Sequence, residues 1–518
     1  MRTSTRTTAV TLFALTVLVY LLTAPGHLQA GDMRAELAVA QSIVTRGDFT
    51  VAPGDPAVYV PYVLSDAGVH YAYFGIGDTI LLLPAALAGR LADCPNLVGG
   101  CPQSVQQATD FAASFVDAIA AALAVVVLFF LALDLRASRR VATALALLFA
   151  FCTIEWAYAH DAFDVGPTGL LILLGVFAIH RGVRRRQARW LVLCGCALGF
   201  AVLTRLPTVL LLPGFGIYLI AGIRTDLWRK AGVRLLAWGA PLAVALLLLA
   251  WYNWSRFGSP LDAGQARASD FYPFSTPLLT GLSGQLLSPG KSLFLFSPPL
   301  LLGIAGLPAF LRRHTAVGLL LLSCVVINLV FYGKYLEWSG DYAWGPRYTV
   351  PMTALLLIPA IEVLSRWRQL PAISRAAVVA LAGLGFIAQV LGVSIDYLHQ
   401  MLLVRFQGVD PRSYWSLPYS AIWRHALAFA QVPSGSAPYP SDQVPMDIAL
   451  GLPQFTTIDF WWIYALLNGT NPVLIVAIVG SALLLVAGLC YRLWSATREV
   501  SNAPHVGDWR KPRASTLE

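Results

Sequence analysis

Two sets of charged residues in this 518-residue chain have the types and the placement to do chemistry. The acids come first: Asp32 opens a helical pattern, and Glu36 follows one turn later on the same side. Met33, Leu37, Ala40 and Val44 form one stripe of that pattern, Arg34, Gln41 and Thr45 lie off it, and Gly47 is a fitting residue to end it. A short amphipathic helix of this kind is expected to lie along a membrane surface, not across it. The cations come later, at Arg205, Arg256, Lys291, Lys334 and Arg347. A carboxylate can act as general base on a hydroxyl while cations stabilise a departing phosphate, and neither step needs a cofactor. Together these sets suit an anionic substrate embedded in the membrane. Taken singly, Asp32 is equally an ordinary helix N-cap, and each cation a solvated or headgroup-snorkelling side chain. A divalent metal can be accommodated. His160 beside Asp161 supplies two candidate ligands, although a loop hydrogen bond also accounts for that pair.

The elements that must position these residues are membrane spans. The chain is 57% hydrophobic and 12% charged, with a mean hydropathy of +0.66, which excludes an ordinary soluble globule. Crossing a hydrocarbon core of about 30 Å takes about 20 apolar residues. Twelve such runs are expected, at 8–24, 109–134, 140–158, 165–180, 189–204, 207–223, 235–254, 293–311, 315–333, 349–365, 376–396 and 472–494. The fold class is therefore an all-α polytopic membrane protein. Placing the N-terminus in the cytoplasm puts 24 of the 36 lysines and arginines inside, concentrated in the short turns around Arg136–Arg140, Arg181–Arg189, Arg224–Arg234, Arg312–Arg313 and Arg366–Arg375. The net charge of +9 is mostly this asymmetry and is no argument for nucleic acid.

With both termini cytoplasmic, the acids and the five cations fall on the outer side. Thr79–Leu91, only 13 residues long and carrying Pro84, fits a second interfacial or re-entrant helix; were it a span, Arg136, Arg139 and Arg140 would move outside. Cys94 and Cys101 lie in the first outer loop, where an oxidising compartment would permit a disulfide. The first span resembles a signal peptide but lacks a small-residue cleavage site, so an uncleaved helix is expected. The organisation is thus a membrane module at 1–396 with its first outer loop at 25–108, an outer cap at 397–471 with a lid at Pro433–Pro445, a last span at 472–494 and a polar tail from 495.

Several motifs carry a family resemblance. They are Gly31-Asp32, Tyr71 to Leu83, Tyr158-Ala159-His160, Leu203-Thr204-Arg205-Leu206-Pro207, Tyr252 to Pro260, Ser288-Pro289-Gly290-Lys291-Ser292-Leu293-Phe294 and Trp338 to Tyr348. Spread over about residues 10–365, they make the chain resemble bacterial glycosyltransferases of the GT-C superfamily, the group similar to protein O-mannosyltransferases and lipid A aminoarabinose transferases. The resemblance implies a multispan fold whose first outer loop carries two surface helices and the catalytic acid, and a sugar donor on polyprenyl phosphate. Asp32 then matches the catalytic base, and Arg205, Lys291 and Arg347 fall where the donor phosphate would be held. Many relatives carry adjacent Asp-Glu, whereas here the acids are Asp32 and Glu36, so either is a candidate base and Glu36 a candidate sugar ligand. Tyr73, Tyr158, His160, Asn253, Arg256, Lys334 and Asp341 complete the candidate substrate-binding residues.

The expected activity is inverting transfer of a sugar to an acceptor hydroxyl on the outer face of a bacterial cytoplasmic membrane, with membrane lipids as neighbours. Two other classes share the architecture. A lipid-linked glycan ligase or polymerase would rely on Arg405, Arg412 or Arg424 of the late loop and tolerate loss of Asp32. A transporter would need a polar path through the spans, where Asp110, Asp117, Asn328 and Gln389 form no evident one and no internal repeat is found.

Overall fold

The computed structural model describes residues 2–28, 31–52, 63–66, 68–92, 102–160, 163–267, 274–340, 343–397, 414–431 and 458–499. The first half holds α1 (Arg2–Leu22), α2 (Gly31–Thr45), strands β1 (Val63–Asp66) and β2 (Val69–Ala72), α3 (Ile76–Ala92), α4 (Pro102–Ala113), α5 (Val116–Asp134), α6 (Arg139–Cys152), α7 (Glu155–His160), α8 (Val165–Arg185), α9 (Ala188–Thr204), α10 (Leu212–Ile223) and α11 (Trp228–Phe257). After it come α12 (Leu278–Leu287), α13 (Leu293–Phe296), α14 (Leu300–Arg313), α15 (Thr315–Lys334), α16 (Thr353–Leu357), α17 (Ile361–Ser365), α18 (Ala372–Ser394), α19 (Ala421–Gln431), α20 (Trp461–Leu467) and α21 (Pro472–Glu499). The chain is not purely helical: β1 and β2 form an antiparallel hairpin pairing Val63 with Ala72 and Asp66 with Val69.

Among the described residues nine helices are long and apolar enough to cross a membrane. Three expected spans are shorter: α6 and α14 have 14 residues each and α9 has 17. Local chemistry explains two of them. Thr153 turns extended and ends α6 before α7 begins, and Ser297-Pro298-Pro299 splits the expected 293–311 run into α13 and α14, because proline lacks the donor a continuing helix requires. Arg347–Ser365 still runs the length of a span, but through alternating 3-10 and α turns around Pro351 and Pro359.

Small residues bring the spans together. A Cβ on Gly195 would sit 2.3 Å from the Trp238 carbonyl, and one on Gly199 would sit 2.8 Å from Ala245 Cβ, so these two glycines one turn apart let α9 lie directly on α11. Phe129, Leu198 and Phe215 are fully enclosed in the core these helices share with α5, α8 and α10. At one end of the bundle the turns bearing Arg136, Arg184 and Arg313 meet around a cavity of about 570 Å³, so the basic connections do share one face.

α2 and α3 are helices, as expected, and α3 continues through Pro84. Gly47 ends α2 with φ +72, its N–H closing on the Ser42 carbonyl at 3.0 Å. One expectation fails in detail. α2 does not lie with one face free: its Met33, Leu37 and Ala40 stripe packs against α3, and its Ala35, Ala38 and Val39 face is covered by Val51, Ala72 and the nearby Phe49 and Phe74. Burial on both faces shuts its carboxyls into the protein.

Candidate functional site

The site is built by loops that glycine allows to approach closely. A Cβ on Gly75 would lie 2.1 Å from the Leu203 carbonyl, and one on Gly77 would lie 2.3 Å from Thr204 Oγ1. Only glycine fits there, so the start of α3 is pressed onto the last residues of α9, with Asp78 following one of them and Arg205 the other. Gly345, at φ +62 against the Phe296 ring, makes the turn that leads through Pro346 into Arg347.

Arg347 and Asp32, 315 positions apart, form an ion pair, and the same guanidinium nitrogen lies 3.7 Å from Asp164. Asp164 in turn accepts both of its contacts from Arg205 Nη1, at 2.6 and 2.8 Å. Two arginines and two carboxylates thus form one chain of charge. Aromatic rings complete it: Arg205 Nε donates to the Tyr332 hydroxyl at 3.0 Å, Arg205 also lies 5.0 Å from the Tyr348 ring centre, and Arg347 lies 4.2 Å from that of Phe163. Tyr332 and Tyr348 stack at 4.3 Å. Arg347 Nε has no hydrogen-bond partner among the described residues, so the guanidinium keeps a donor in reserve. Arg205 also borders a narrow crevice of about 20 Å³ between Thr168, Ile172, Leu211, Ile327, Phe331 and Met352.

Glu36 is drawn away from Asp32 toward Asp78, with which it is hydrogen-bonded. Burial, with Asp78, Asp164 and Asp32 nearby, holds the Glu36 carboxyl well above the usual range. Burial, together with the charges of Asp164 and Asp32, pushes Asp78 up to about 7, although its bond from Glu36 acts the other way. The pair therefore holds a proton at neutral pH. Its outer oxygens, Glu36 Oε1 and Asp78 Oδ1, have no hydrogen-bond partner among the described residues.

The other predicted residues divide sharply. Lys334, the last residue of α15 and two positions from Tyr332, is half-buried, and its side chain makes no ion pair among the described residues. Lys291 is buried and donates to the Ala343 carbonyl at 2.7 Å, which ties it to the loop before Arg347. Tyr158 donates to the Trp344 carbonyl at 3.0 Å and braces the same loop. Tyr73 packs 5.1 Å from Phe74. Arg256 donates to the Ala72 and Phe74 carbonyls and to Asn253 Oδ1, and sits 3.6 Å over the Tyr252 ring, while Asn253 also donates to the Pro260 carbonyl. His160 bonds the Thr23 carbonyl and Asp459. Arg424 lies 5.2 Å over the Tyr419 ring. Asp341, Asp161, Arg405, Arg412, Cys94, Cys101, the Pro433–Pro445 segment and the tail from 500 lie outside the described residues.

Asp164 is the member that sequence reasoning missed. Its signal was available, since it starts α8 at the same end of the bundle where α9 ends in Arg205, and consecutive spans put those ends side by side. Phe163, Tyr332 and Tyr348 gave no signal of their own among so many aromatics.

Residues 103–254, which include Asp164 and Arg205 but neither Asp32 nor Arg347, match the dolichyl-phosphate-mannose-protein mannosyltransferase family. No curated protein matches the chain. Among solved structures, ArnT from Cupriavidus metallidurans bound to undecaprenyl phosphate aligns with a TM-score of 0.45 and 16% identity, over 94% of this chain and 76% of that one. Its apo form aligns at 0.47 and 15%, over 92% and 75%. The archaeal oligosaccharyltransferase AglB from Archaeoglobus fulgidus, in complex with an inhibitory peptide and a dolichol-phosphate, aligns at 0.50 and 13% over 80% of this chain, which spans 60% of the AglB chain. Residues 103–254 are thus similar to that mannosyltransferase family, and the chain shares its many-helix membrane fold with AglB.

Proposed function

We propose that the protein is an integral membrane glycosyltransferase that moves a sugar from a polyprenyl-phosphate carrier to an acceptor hydroxyl, with inversion, on the outer face of a bacterial cytoplasmic membrane. The observation that carries this reading is the Asp32–Arg347–Asp164–Arg205 chain of largely buried charge. The phosphate of a lipid-linked donor suits the two guanidiniums, which bind phosphate in planar, two-pronged fashion. The family name of the matched segment and the dolichol-phosphate in the AglB complex support a lipid-linked donor.

In the resting protein Arg347 neutralises Asp32. Donor phosphate competes for that guanidinium, and Asp32 is released as its partner turns to the incoming anion. Asp32 then takes the proton of the acceptor hydroxyl as its oxygen attacks the anomeric carbon. The bond from that carbon to the phosphate oxygen breaks, and polyprenyl phosphate leaves with the electron pair, its charge met by Arg347, Arg205 and Lys334. Glu36 and Asp78, which share a proton, offer their outer oxygens to sugar hydroxyls. No cofactor is needed for these steps.

The test uses the purified full chain, radiolabelled polyprenyl-phosphate sugars and fractionated envelope acceptors. Wild type is expected to move label to an acceptor, and Asp32→Asn to lose transfer with its melting behaviour intact. Full activity in Asp32→Asn would remove Asp32 from the base role, and label carried across a vesicle membrane without a new glycosidic bond would replace transfer with transport.

A further inference from the structure

The basic connections at the far end of the bundle enclose the cavity of about 570 Å³, a size within the range of about 300–1,000 Å³ typical of small-molecule sites. α8 joins this end to the transfer site: Asp164 precedes its first residue and Arg184 lies in its last turn. Its 21 residues set the two about 30 Å apart.

Three connections supply the cations of the cavity wall, Arg136 after α5, Arg184 at the end of α8 and Arg313 at the end of α14. Two carboxylates, Asp134 and Glu362, share that wall, and both are already matched. Asp134 accepts from Nε of Arg181 and from its Nη2 at 3.1 Å, with Arg185 3.7 Å away, while Glu362 meets Arg313 at 3.1 Å and Arg366 at 3.9 Å. Six guanidiniums thus face two carboxylates, a surplus of four positive charges with the histidines neutral. Arg136 is exposed and makes no ion pair among the described residues, and Arg184 donates only to the Asp134 carbonyl, at 2.6 Å.

The wall histidines show that this is more than scattered surface charge. His180 bonds the Tyr218 hydroxyl through Nδ1 at 3.0 Å, but its buried Nε2 has no hydrogen-bond partner among the described residues. Burial holds the His314 ring below its ordinary value; Glu362 acts the other way, and Arg313, Arg136 and Arg184 add to the effect of burial. Cations from three connections therefore act on one ring. Backbone strain is also accepted here, since Arg136 at φ +67 and Arg186 at φ +53 stand in the left-handed region that favours glycine.

We propose that this cavity binds a phosphate-bearing anion, with Arg136 and Arg184 as its main ligands. A guanidinium matches phosphate oxygens in pairs, and both of these have donors to offer. Leu135 and Ile361, at the ends of apolar helices, line the same cavity and suit the first carbons of a lipid below its headgroup. Basic pockets between helix ends hold anionic headgroups in this way, and a soluble phosphate presents the same chemistry. The site shares no residue with the transfer chemistry, and it stands or falls apart from the proposed activity.

The full chain in detergent is titrated with dihexanoyl phosphatidylglycerol or inorganic pyrophosphate, with dihexanoyl phosphatidylcholine as the net-neutral reference, and bound ligand is counted by native mass spectrometry. Saturable binding of phosphatidylglycerol above phosphatidylcholine would support the site with a lipid as its source, and saturable binding of pyrophosphate alone would support it with a soluble one. Arg136→Gln/Arg184→Gln should weaken binding about 10–30-fold, the worth of two basic residues at an anionic headgroup, and Arg136→Gln alone, which breaks no ion pair, about 5-fold. Arg229→Gln/Lys230→Gln removes equal charge outside the cavity but at the same end, where Arg234 of α11 donates to the Gly182 carbonyl, and should leave binding unchanged. Wild type that binds neither probe saturably would overturn the site. So would binding that ignores the Arg136 and Arg184 changes, as binding at the transfer site would, or binding weakened equally by both double variants, which would reduce the cavity to part of a diffusely basic face.

Discussion

Arg256 on one side, and Arg205 with Arg347 on the other, are guanidiniums that the sequence offers in similar settings, each at the edge of a span beside aromatic residues. Their partners differ. Arg256 is 5% exposed and spends its donors on backbone carbonyls of the hairpin end and on Asn253. Arg205 and Arg347 keep side-chain exposures of 14% and 12% and meet carboxylates, next to aromatic rings. A guanidinium satisfied by fixed carbonyls has nothing to exchange. One held by carboxylates can trade them for a phosphate of like charge, and so partner type, more than burial, separates a brace from a binding group.

The largest effect that would test this contrast is at Arg347. Arg347→Ala should cut turnover by about 1,000-fold, with Arg347→Lys recovering part of it through KM, because a lysine returns the charge without the two-pronged geometry. Steady-state transfer assays on the folded fraction read both. Next comes Arg256→Gln, which should cost about 2–4 kcal/mol of stability by stranding buried carbonyls, seen as a lower melting temperature, while the folded fraction turns over as wild type. A normal melt with a raised donor KM would instead put Arg256 among the binding groups and erase the distinction.

Gly77→Ala is expected to act at a distance. Its new Cβ must displace Thr204 and with it Arg205, and a shift of about 1 Å costs about 10–100-fold in turnover. The smallest effect concerns Asp78, whose carboxyl is raised from 3.8 to about 7 by burial and neighbouring acids. A raised carboxyl contributes stability that is full below its unfolded value and is lost as pH climbs through the folded one. Wild type should therefore lose about 1–3 kcal/mol between pH 4 and pH 7, and Asp78→Asn should flatten that slope, as denaturation at a series of pH values would show.

Several features were legible along the chain. Asp32 at a helix start, Gly47 at its end and Arg347 after Gly345-Pro346 were readable because helix periodicity and turn chemistry act over a few neighbours. The basic turns also declared one face, since the charge of each short connection is local. The span count was less secure, as Ser297-Pro298-Pro299 and the prolines of the Arg347–Ser365 run break helices inside stretches whose average hydropathy is high.

By itself, then, the sequence determined that this is a many-span helical membrane protein with acids and cations on one side, because length, apolarity and local charge are properties of short segments. Only the tertiary structure decided that Glu36 pairs with Asp78 instead of Asp32, that Asp164 joins two arginines, that Lys291 and Arg256 donate to backbone carbonyls, and that His160 meets Asp459 across 299 positions. Those choices rest on which backbones can approach, as Gly75 and Gly77 let α3 reach α9, and on the need of each buried charge for a partner. Contacts of that kind are settled by the packing of the whole bundle.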